Sequence, residues 1–478
     1  MSSVLVRCDA TARGGIGHFV RAVALAEELT ARGRRVFVSG DVSAPLAMRM
    51  LSASAISMLP PAASSPELLA LARSVGAGVV HIDGYEGFDD VRAAAAGVGG
   101  PVVSTATDAD HGRRAADVIV DGSPRALRWF DGLYRDADVC LGPDFLPLRS
   151  GLTADSTRAA AAPDERGLSV LVMMGGTDAA GYGPAAARSA ASVDGVRRVG
   201  LVGAEAEDAG VVGVPHDPDL TALVDGWDVV ITAAGTTVWE LAALSVPMAL
   251  IGVAENQRDH YDTLCAEGAA IGLGFMPAKD ALDASALAAL LVDDDARRAI
   301  TRMARGMVDG HGAARVVDAW DGVARDRRTA SLELRPAELR DAGRLYGWRE
   351  DPATRAQSRN TEPIPWGAHV AWLRTTLRRP DRRLFVAAWR GPVGTVRLDE
   401  LSPGAWEISI TVAPHERGRG VGGRMIEHAI AEVAGAGGDR VVAELRDSND
   451  ASRALFRSAG FVHEDARAAG WERWVRSL

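Results

Sequence analysis

The feature that most limits what this chain can fold into is a rhythm. Over the first two-thirds, short β-branched runs alternate with Ala- and Leu-rich amphipathic stretches. Strands are predicted at 3–7, 35–39, 79–82, 102–104, 118–120 and 139–141, with helices at 20–32 and 66–75. Such alternation builds βαβ units, and these assemble into a parallel, doubly wound sheet. A polar, Ala-rich stretch at 149–167 interrupts the pattern and reads as a linker. The rhythm then restarts, with strands predicted at 169–173, 198–202, 229–232, 248–251 and 270–273, and helices at 184–191, 236–244, 256–267, 284–291 and 294–307. A second seam is read near 324–331, in the charged run RDRRTAS. Beyond it, clustered strands predict an α+β region with a mostly antiparallel sheet. The expected architecture is α/β: two Rossmann-like domains, 1–150 and 167–323, followed by an α+β domain, 331–478.

Composition narrows the function classes. The 478 residues are 47% hydrophobic and 24% charged, enough apolar material for about three cores at roughly 100–200 residues per domain. A net charge of −10 speaks against nucleic acid, which calls for a basic footprint. Three widely spaced cysteines give no disulfide framework. No run nears the roughly 20 apolar residues of a membrane span, and the N-terminal apolar run is too short for a signal peptide. A cytoplasmic enzyme is expected. No His, Cys and carboxylate cluster has ligand spacing, so no metal is expected.

The strongest local motif is EISITVAPHERGRGVGGRM, 407–425. A strand runs into a turn and a helix follows at once. Gly418, Gly420 and Gly422 let backbone N–H groups approach a ligand closely. The helix start at Val421 adds uncapped donors and the positive end of a dipole, while Arg417 and Arg419 add charge. The product is a pyrophosphate cradle. The segment NDASRALFRSAGF, 449–461, follows a further strand.

Together these motifs resemble the GNAT N-acetyltransferase family over 331–478, and within it the branch that acetylates amino groups of nucleotide-linked sugars. The resemblance implies acetyl-CoA as cosubstrate, held by Val412 and by Arg417, Gly418, Arg419, Gly420, Val421 and Gly422. It also implies that Asn449 and Ser452 flank the pantetheine arm. The family often has a tyrosine where this chain has Phe456, and a phenyl ring cannot protonate a departing thiolate. Glu407 is the candidate base, acting on the amine through water.

The N-terminal segment RCDATARGGIGHFVRAVALAEEL, 7–29, is another strand, glycine turn and helix. Gly14, Gly15 and Gly17 permit a tight turn aimed at a ligand, with His18 at the helix start and Arg21 one turn on. A helix N-terminus disfavours an imidazolium, which keeps His18 neutral and able to accept a proton. In the second region, Gly175 and Gly176 close a buried strand, followed by Thr177 and Asp178. Gly235, Thr236 and Thr237 form a further strand-to-helix turn. Glu240 is placed to meet ribose hydroxyls, and Asn256 and Gln257 open the next helix. Three such turns on one sheet edge make a diphosphate site, because ligands of open α/β sheets bind beyond the strands' carboxyl ends.

Residues 1–320 resemble the two-domain, GT-B-type family that holds the UDP-diacetamido-trideoxy-altropyranose hydrolase of pseudaminic acid biosynthesis. They also resemble the related spore-coat polysaccharide proteins. The resemblance rests on Asp9 and IGHFVRA, on Asp83 to Tyr85, on LGPDFLPLR, on Gly175 and Gly176, and on Asn256 and Gln257. It implies His18 as the base that activates water at the anomeric carbon, and Tyr85 and Asn256 as sugar or diphosphate contacts. Asp9 and Asp83 are left as alternatives for orienting His18 or a sugar hydroxyl. The joint expectation is a bifunctional enzyme that acetylates a UDP-4-amino sugar and releases UDP from a diacetamido product. A glycosyltransferase using the same cleft, or a half that only binds nucleotide sugar, are the competing readings.

Overall fold

The computed structural model describes residues 3–12, 14–96, 99–108, 111–128, 132–152, 167–176, 178–204, 210–464 and 470–478. Arg13, Thr177 and most of the linker read at 149–167 lie outside them.

Two parallel sheets fill the first two-thirds. The first contains β1 (Ser3–Arg7), β2 (Val36–Ser39), β3 (Ile56–Leu59), β4 (Ala77–Ile82), β5 (Val102–Ala106), β6 (Val118–Asp121) and β7 (Asp138–Leu141), in the order β3-β2-β1-β4-β5-β6-β7. Val4, Leu5 and Val6 have no exposure, as a strand covered on both faces requires. The chain order reverses between β1 and β4, which pair in parallel.

The second contains β8 (Leu168–Met173), β9 (Val196–Val202), β10 (Val211–Val214), β11 (Val229–Ala233), β12 (Met248–Gly252) and β13 (Ile271–Phe275). Its order is β10-β9-β8-β11-β12-β13, parallel throughout, and the reversal falls between β8 and β11. Apolar clusters cover both of its faces, one around Trp239 and one around Ile231.

The third sheet holds β14 (Glu333–Pro336), β15 (Arg382–Ala388), β16 (Pro392–Ser402), β17 (Ala405–Val412), β18 (Arg440–Arg446), β19 (Val462–Glu464) and β20 (Trp471–Ser477), ordered β14-β15-β16-β17-β18-β20-β19. Every neighbouring pair is antiparallel except β17 with β18. The helix Val421–Gly435 packs its apolar side on this sheet through Val421, Met425, Ile426, Ala429 and Val433.

By internal contacts the chain divides into two compact units. One comprises Met1–Ala116, Val120–Ala126 and Cys140–Asp318; the other comprises Asp117–Ile119, Leu127–Val139 and Ala319–Leu478.

The alternation and the change of rhythm are present as read. One difference is the charged run taken for a seam at 324–331, which is helical as far as Arg328, within the helix Gly312–Arg328. Its charges are used: Asp326 is buried against Arg335 at 2.9 Å, and Arg327 pairs with Asp117 at 2.7 Å. Among the described residues no helix is long and apolar enough to cross a membrane, and no group of three or more His, Cys, Asp or Glu could hold a metal ion.

Candidate functional site

At the reversal of the first sheet, β1 ends in Arg7, followed by Cys8 and Asp9, and β4 is followed by Asp83, Gly84 and Tyr85. The helix Gly17–Ala31 starts beside them. Its N-cap, Ile16, supplies no side-chain bond, so the first amides are left for other partners. His18 Nδ1 lies 2.7 Å from Asp83 Oδ1, and the ring stands edge-on to Tyr85 at 4.7 Å. Arg21 donates through Nε to Asp83 Oδ2 at 2.8 Å and through Nη2 to Oδ1 at 2.7 Å. It also reaches Asp108 Oδ1 at 3.2 Å.

Burial alone would raise the Asp83 pKa. The charges and hydrogen bonds of Arg21 and His18 outweigh it and hold the carboxyl well below the usual range. An ionised Asp83 can only accept, which favours the His18 tautomer protonated at Nδ1 with the lone pair on Nε2, while Arg21 Nη2, a donor 2.9 Å from the same Nδ1, favours the other. Of the two carboxylates left open, Asp83 orients His18. Asp9 pairs with Arg7 at 2.8 Å and accepts from the Asp41 amide at 2.8 Å. A cavity of about 270 Å3 opens here, lined by Arg7, Asp9, Ile82, Asp83, Gly84, Tyr85, Glu86 and Phe88.

The glycine turns of the second sheet meet the same place. A Cβ on Gly176 would sit 2.5 Å from Ile16 Cδ1, so a larger residue there would have to push the Ile16 side chain aside. A Cβ on Gly17 would meet Thr236 Oγ1 at 3.4 Å, and one on Gly235 would meet Gln257 Nε2 at 3.7 Å. Gly175 has φ +71° with open space around it. Thr236 precedes the helix Thr237–Ala243 without a side-chain cap. Asn256 Nδ2 donates to the Tyr85 hydroxyl at 2.9 Å, which donates to Asp108 Oδ2 at 2.9 Å. Gln257 turns back and accepts from the Val253 amide at 3.1 Å.

Glu240 needs correction. It is 2% exposed, and its two oxygens accept from Arg149 at 2.6 and 3.1 Å. A buried carboxylate so paired braces the fold.

Sequence reasoning missed Asp108, the junction between Arg21 and Tyr85. It stands just after β5, at the same sheet edge, and a survey of polar residues following every strand would have raised it.

In the second unit, β17 and β18 pair only from Ala405 with Arg440 to Ile408 with Ala443, and then part. Backbone groups from Ser409 to Val412 thereby lose a neighbour on that side. The turn after β17 has Gly418 at φ +76° and Gly420 at φ +74°, with nothing within 4 Å of a Cβ at either. Gly420 is the N-cap of the helix Val421–Gly435 and supplies no cap. A Cβ on Gly422 would meet Leu455 at 2.9 Å and Val412 at 3.4 Å. The corner is therefore open in front and tight behind, and its amides suit an anionic group.

The two arginines differ from expectation. Arg417 donates to Asp351 Oδ1 and Thr354 Oγ1, both at 2.7 Å, and Arg419 pairs with Glu416 at 3.3 Å. Each is already matched by a carboxylate, which leaves the backbone as the main anion-binding element. Asn449 caps the helix Asp450–Ser458, accepting from the Ser452 amide at 3.1 Å. Phe456 is buried edge-on to Phe461 at 5.0 Å. Glu407 is half-buried beside the point where β17 and β18 part; desolvation first, then the charge of Glu444, push its pKa up.

Residues 344–461 match the acetyltransferase (GNAT) family. Similar solved structures include a domain from Methanocaldococcus jannaschii, 21% identical, covering 31% of this chain and 99% of that one with a TM-score of 0.29. An acetyltransferase from Thermus thermophilus is 23% identical over 31% of this chain and 97% of its own, TM-score 0.28. Spermidine N-acetyltransferase SpeG from Vibrio cholerae, in complex with CoA and spermine, is 19% identical over 30% and 95%, TM-score 0.28. No curated protein matches the chain. Residues 344–461 of this chain form an acetyltransferase (GNAT) family domain.

Proposed function

We propose that the chain is a bifunctional enzyme of pseudaminic-acid-type sugar biosynthesis, working through three domains, 1–150, 167–323 and 331–478. The C-terminal domain acetylates the amine of a UDP-4-amino sugar. The two N-terminal domains, as a GT-B-type pair, hydrolyse the resulting UDP-2,4-diacetamido-2,4,6-trideoxy hexose and release UDP.

The observation that carries the hydrolase reading is the Asp83–His18 contact of 2.7 Å, beside a cavity at the sheet reversal. His18 Nε2 takes a proton from water as the water oxygen bonds to the anomeric carbon. The bond from that carbon to the diphosphate oxygen breaks, and UDP leaves with the electron pair. Asp83 stabilises the imidazolium so formed. Asp9, Gly17, Tyr85, Asn256 and the amides of Gly175, Gly176, Gly235, Thr236, Thr237 and Gln257 are the binding groups assigned to sugar and diphosphate; Arg21, expected among them, is buried and held by Asp83 and Asp108, and braces that pair instead.

Bound acetyl-CoA supplies an acetyl group activated as a thioester. Val412 and Gly418, Gly420, Val421 and Gly422 hold it by backbone groups, with Arg417, Arg419, Asn449 and Ser452 around it. Glu407, which forms no ion pair among the described residues, takes the amine proton through water. As the amine nitrogen bonds to the acetyl carbon the carbon–sulfur bond breaks; Phe456 donates no proton, so the sulfur leaves as the thiolate or takes its proton from water. Mass spectrometry of products from acetyl-CoA and a UDP-4-amino sugar tests both halves. Acetylated sugar with free UDP is expected; intact UDP-sugar throughout would remove the hydrolase.

A further inference from the structure

A buried histidine that the proposed chemistry does not use faces the same carboxylates. His260 lies in the helix Arg258–Ala266 and is 9% exposed. Its ring stands edge-on to Trp239 at 5.7 Å, and its Nδ1 is buried without a hydrogen-bond partner. With Arg21, Asp83, Thr107, Asp108 and Ser123 it lines a small cavity of about 10 Å3. Space of that size seats one oxygen atom. The ring's other nitrogen donates to the Ala234 backbone, which leaves Nδ1 as an acceptor; a buried acceptor left unused is costly, and such groups normally have a partner or a task.

The charged neighbours narrow the task. Asp83 already accepts from His18 and twice from Arg21. Asp108 accepts from Arg21 and Tyr85. His81, on β4, is held by Ser104 at 3.0 Å, and burial pushes its pKa down to about 4, so it stays neutral. Asp259, on the helix of His260 itself, accepts from the Arg125 amide at 3.0 Å. Burial, the largest influence, lowers the pKa of His260, while Asp108 and Asp259 oppose that shift.

We propose that His260 is a positioning residue for the His18–Asp83 pair: its Nδ1 accepts a hydrogen bond from a hydroxyl seated in the cavity it shares with Asp108, and so steadies the Asp108–Arg21–Asp83 chain that orients His18. The proposal rests on the reading of His18 as the base. The hydroxyl is that of a water or of the bound sugar. A protonated His260 can accept nothing and draws Asp108 toward itself, which loosens Arg21.

The test uses the full chain with His260→Phe, which removes the acceptor, and His260→Asn, which keeps one. Two quantities are measured: the imidazole titration of His18 by 15N NMR, with and without UDP-N-acetylglucosamine as probe, and the pH profile of UDP release. In His260→Phe the His18 midpoint moves, and kcat for UDP release falls about tenfold with KM within about twofold. His260→Asn restores most of both. A midpoint that moves without the probe assigns the hydroxyl to water; one that moves only with it assigns the hydroxyl to the sugar. An unchanged His18 titration and pH profile in His260→Phe overturns the proposal. A moved midpoint in a chain that releases no UDP keeps the positioning role and removes the hydrolase reading.

Discussion

The two candidate sites are made of different material. In the first unit the proposed chemistry rests on side chains that sequence separates widely: His18, Arg21, Asp83, Tyr85, Asp108 and Asn256 form one hydrogen-bonded chain. In the second unit, the proposed acetyl-CoA site rests on backbone amides within one short turn, with open space in front of Gly418 and Gly420. A side-chain network depends on every member and fails when one is removed. A backbone corner tolerates side-chain changes and fails only when its conformation is spoiled.

The largest expected effect tests that contrast directly. His18→Ala removes the group that takes the proton, and UDP release should fall about 10²–10⁴-fold, measured as kcat at saturating UDP-sugar. Acetylation by the same chain should be unchanged. A chain that keeps full UDP release without His18 would show that this network is structural.

Next in size is Glu240→Gln. Truncating the charge strands a mostly buried Arg149 guanidinium, which still donates to the Pro218 carbonyl but loses its counter-ion. Breaking a buried pair in this way costs about 3 kcal/mol, and denaturant unfolding of the first unit should report it. If stability is untouched while UDP affinity drops, Glu240 returns to the ligand.

Which parts of this were legible follows from the same contrast. The glycine corner at 417–422 could be read because its residues are contiguous and glycine is required where φ is positive. The interior strands are legible for a similar reason: β1 and β11 each hold three consecutive β-branched or leucine residues, Val4–Val6 and Val229–Ile231. The three strands missed, β3, β10 and β19, all lie at the edges of their sheets. Apart from Val211 every residue in them is half-buried or exposed, so little hydrophobic signal marks them. The Asp83–His18 contact was left as one of two alternatives, because which strand end approaches the helix depends on sheet order. Glu240 was misread because nothing near it in sequence announces Arg149, 91 positions away.

Gly420→Ala sharpens the comparison from the other side. At φ +74° an alanine costs about 1–2 kcal/mol, and relief of that strain turns the amides out of line. The KM for acetyl-CoA should rise about tenfold, with UDP release untouched. Glu407 adds a pH signature. Its carboxyl titrates above the usual range, and the base must be deprotonated, so acetylation should fall on acidification at a pH above that of an ordinary carboxylate. Glu407→Gln should lower kcat and abolish that acid limb.

The smallest effect is the one that separates backbone from charge as the anion's partner. Arg419 is largely exposed and already faces Glu416 at 3.3 Å. An exposed, paired cation contributes little to a nearby phosphate, and salt screens what remains. Arg419→Met should therefore change the KM for acetyl-CoA by no more than about twofold in 0.15 M salt, with a slightly larger change at low ionic strength. A tenfold loss at physiological salt would mean that Arg419 leaves Glu416 for the ligand. The corner would then be a side-chain site after all, and the distinction between the two units would fall.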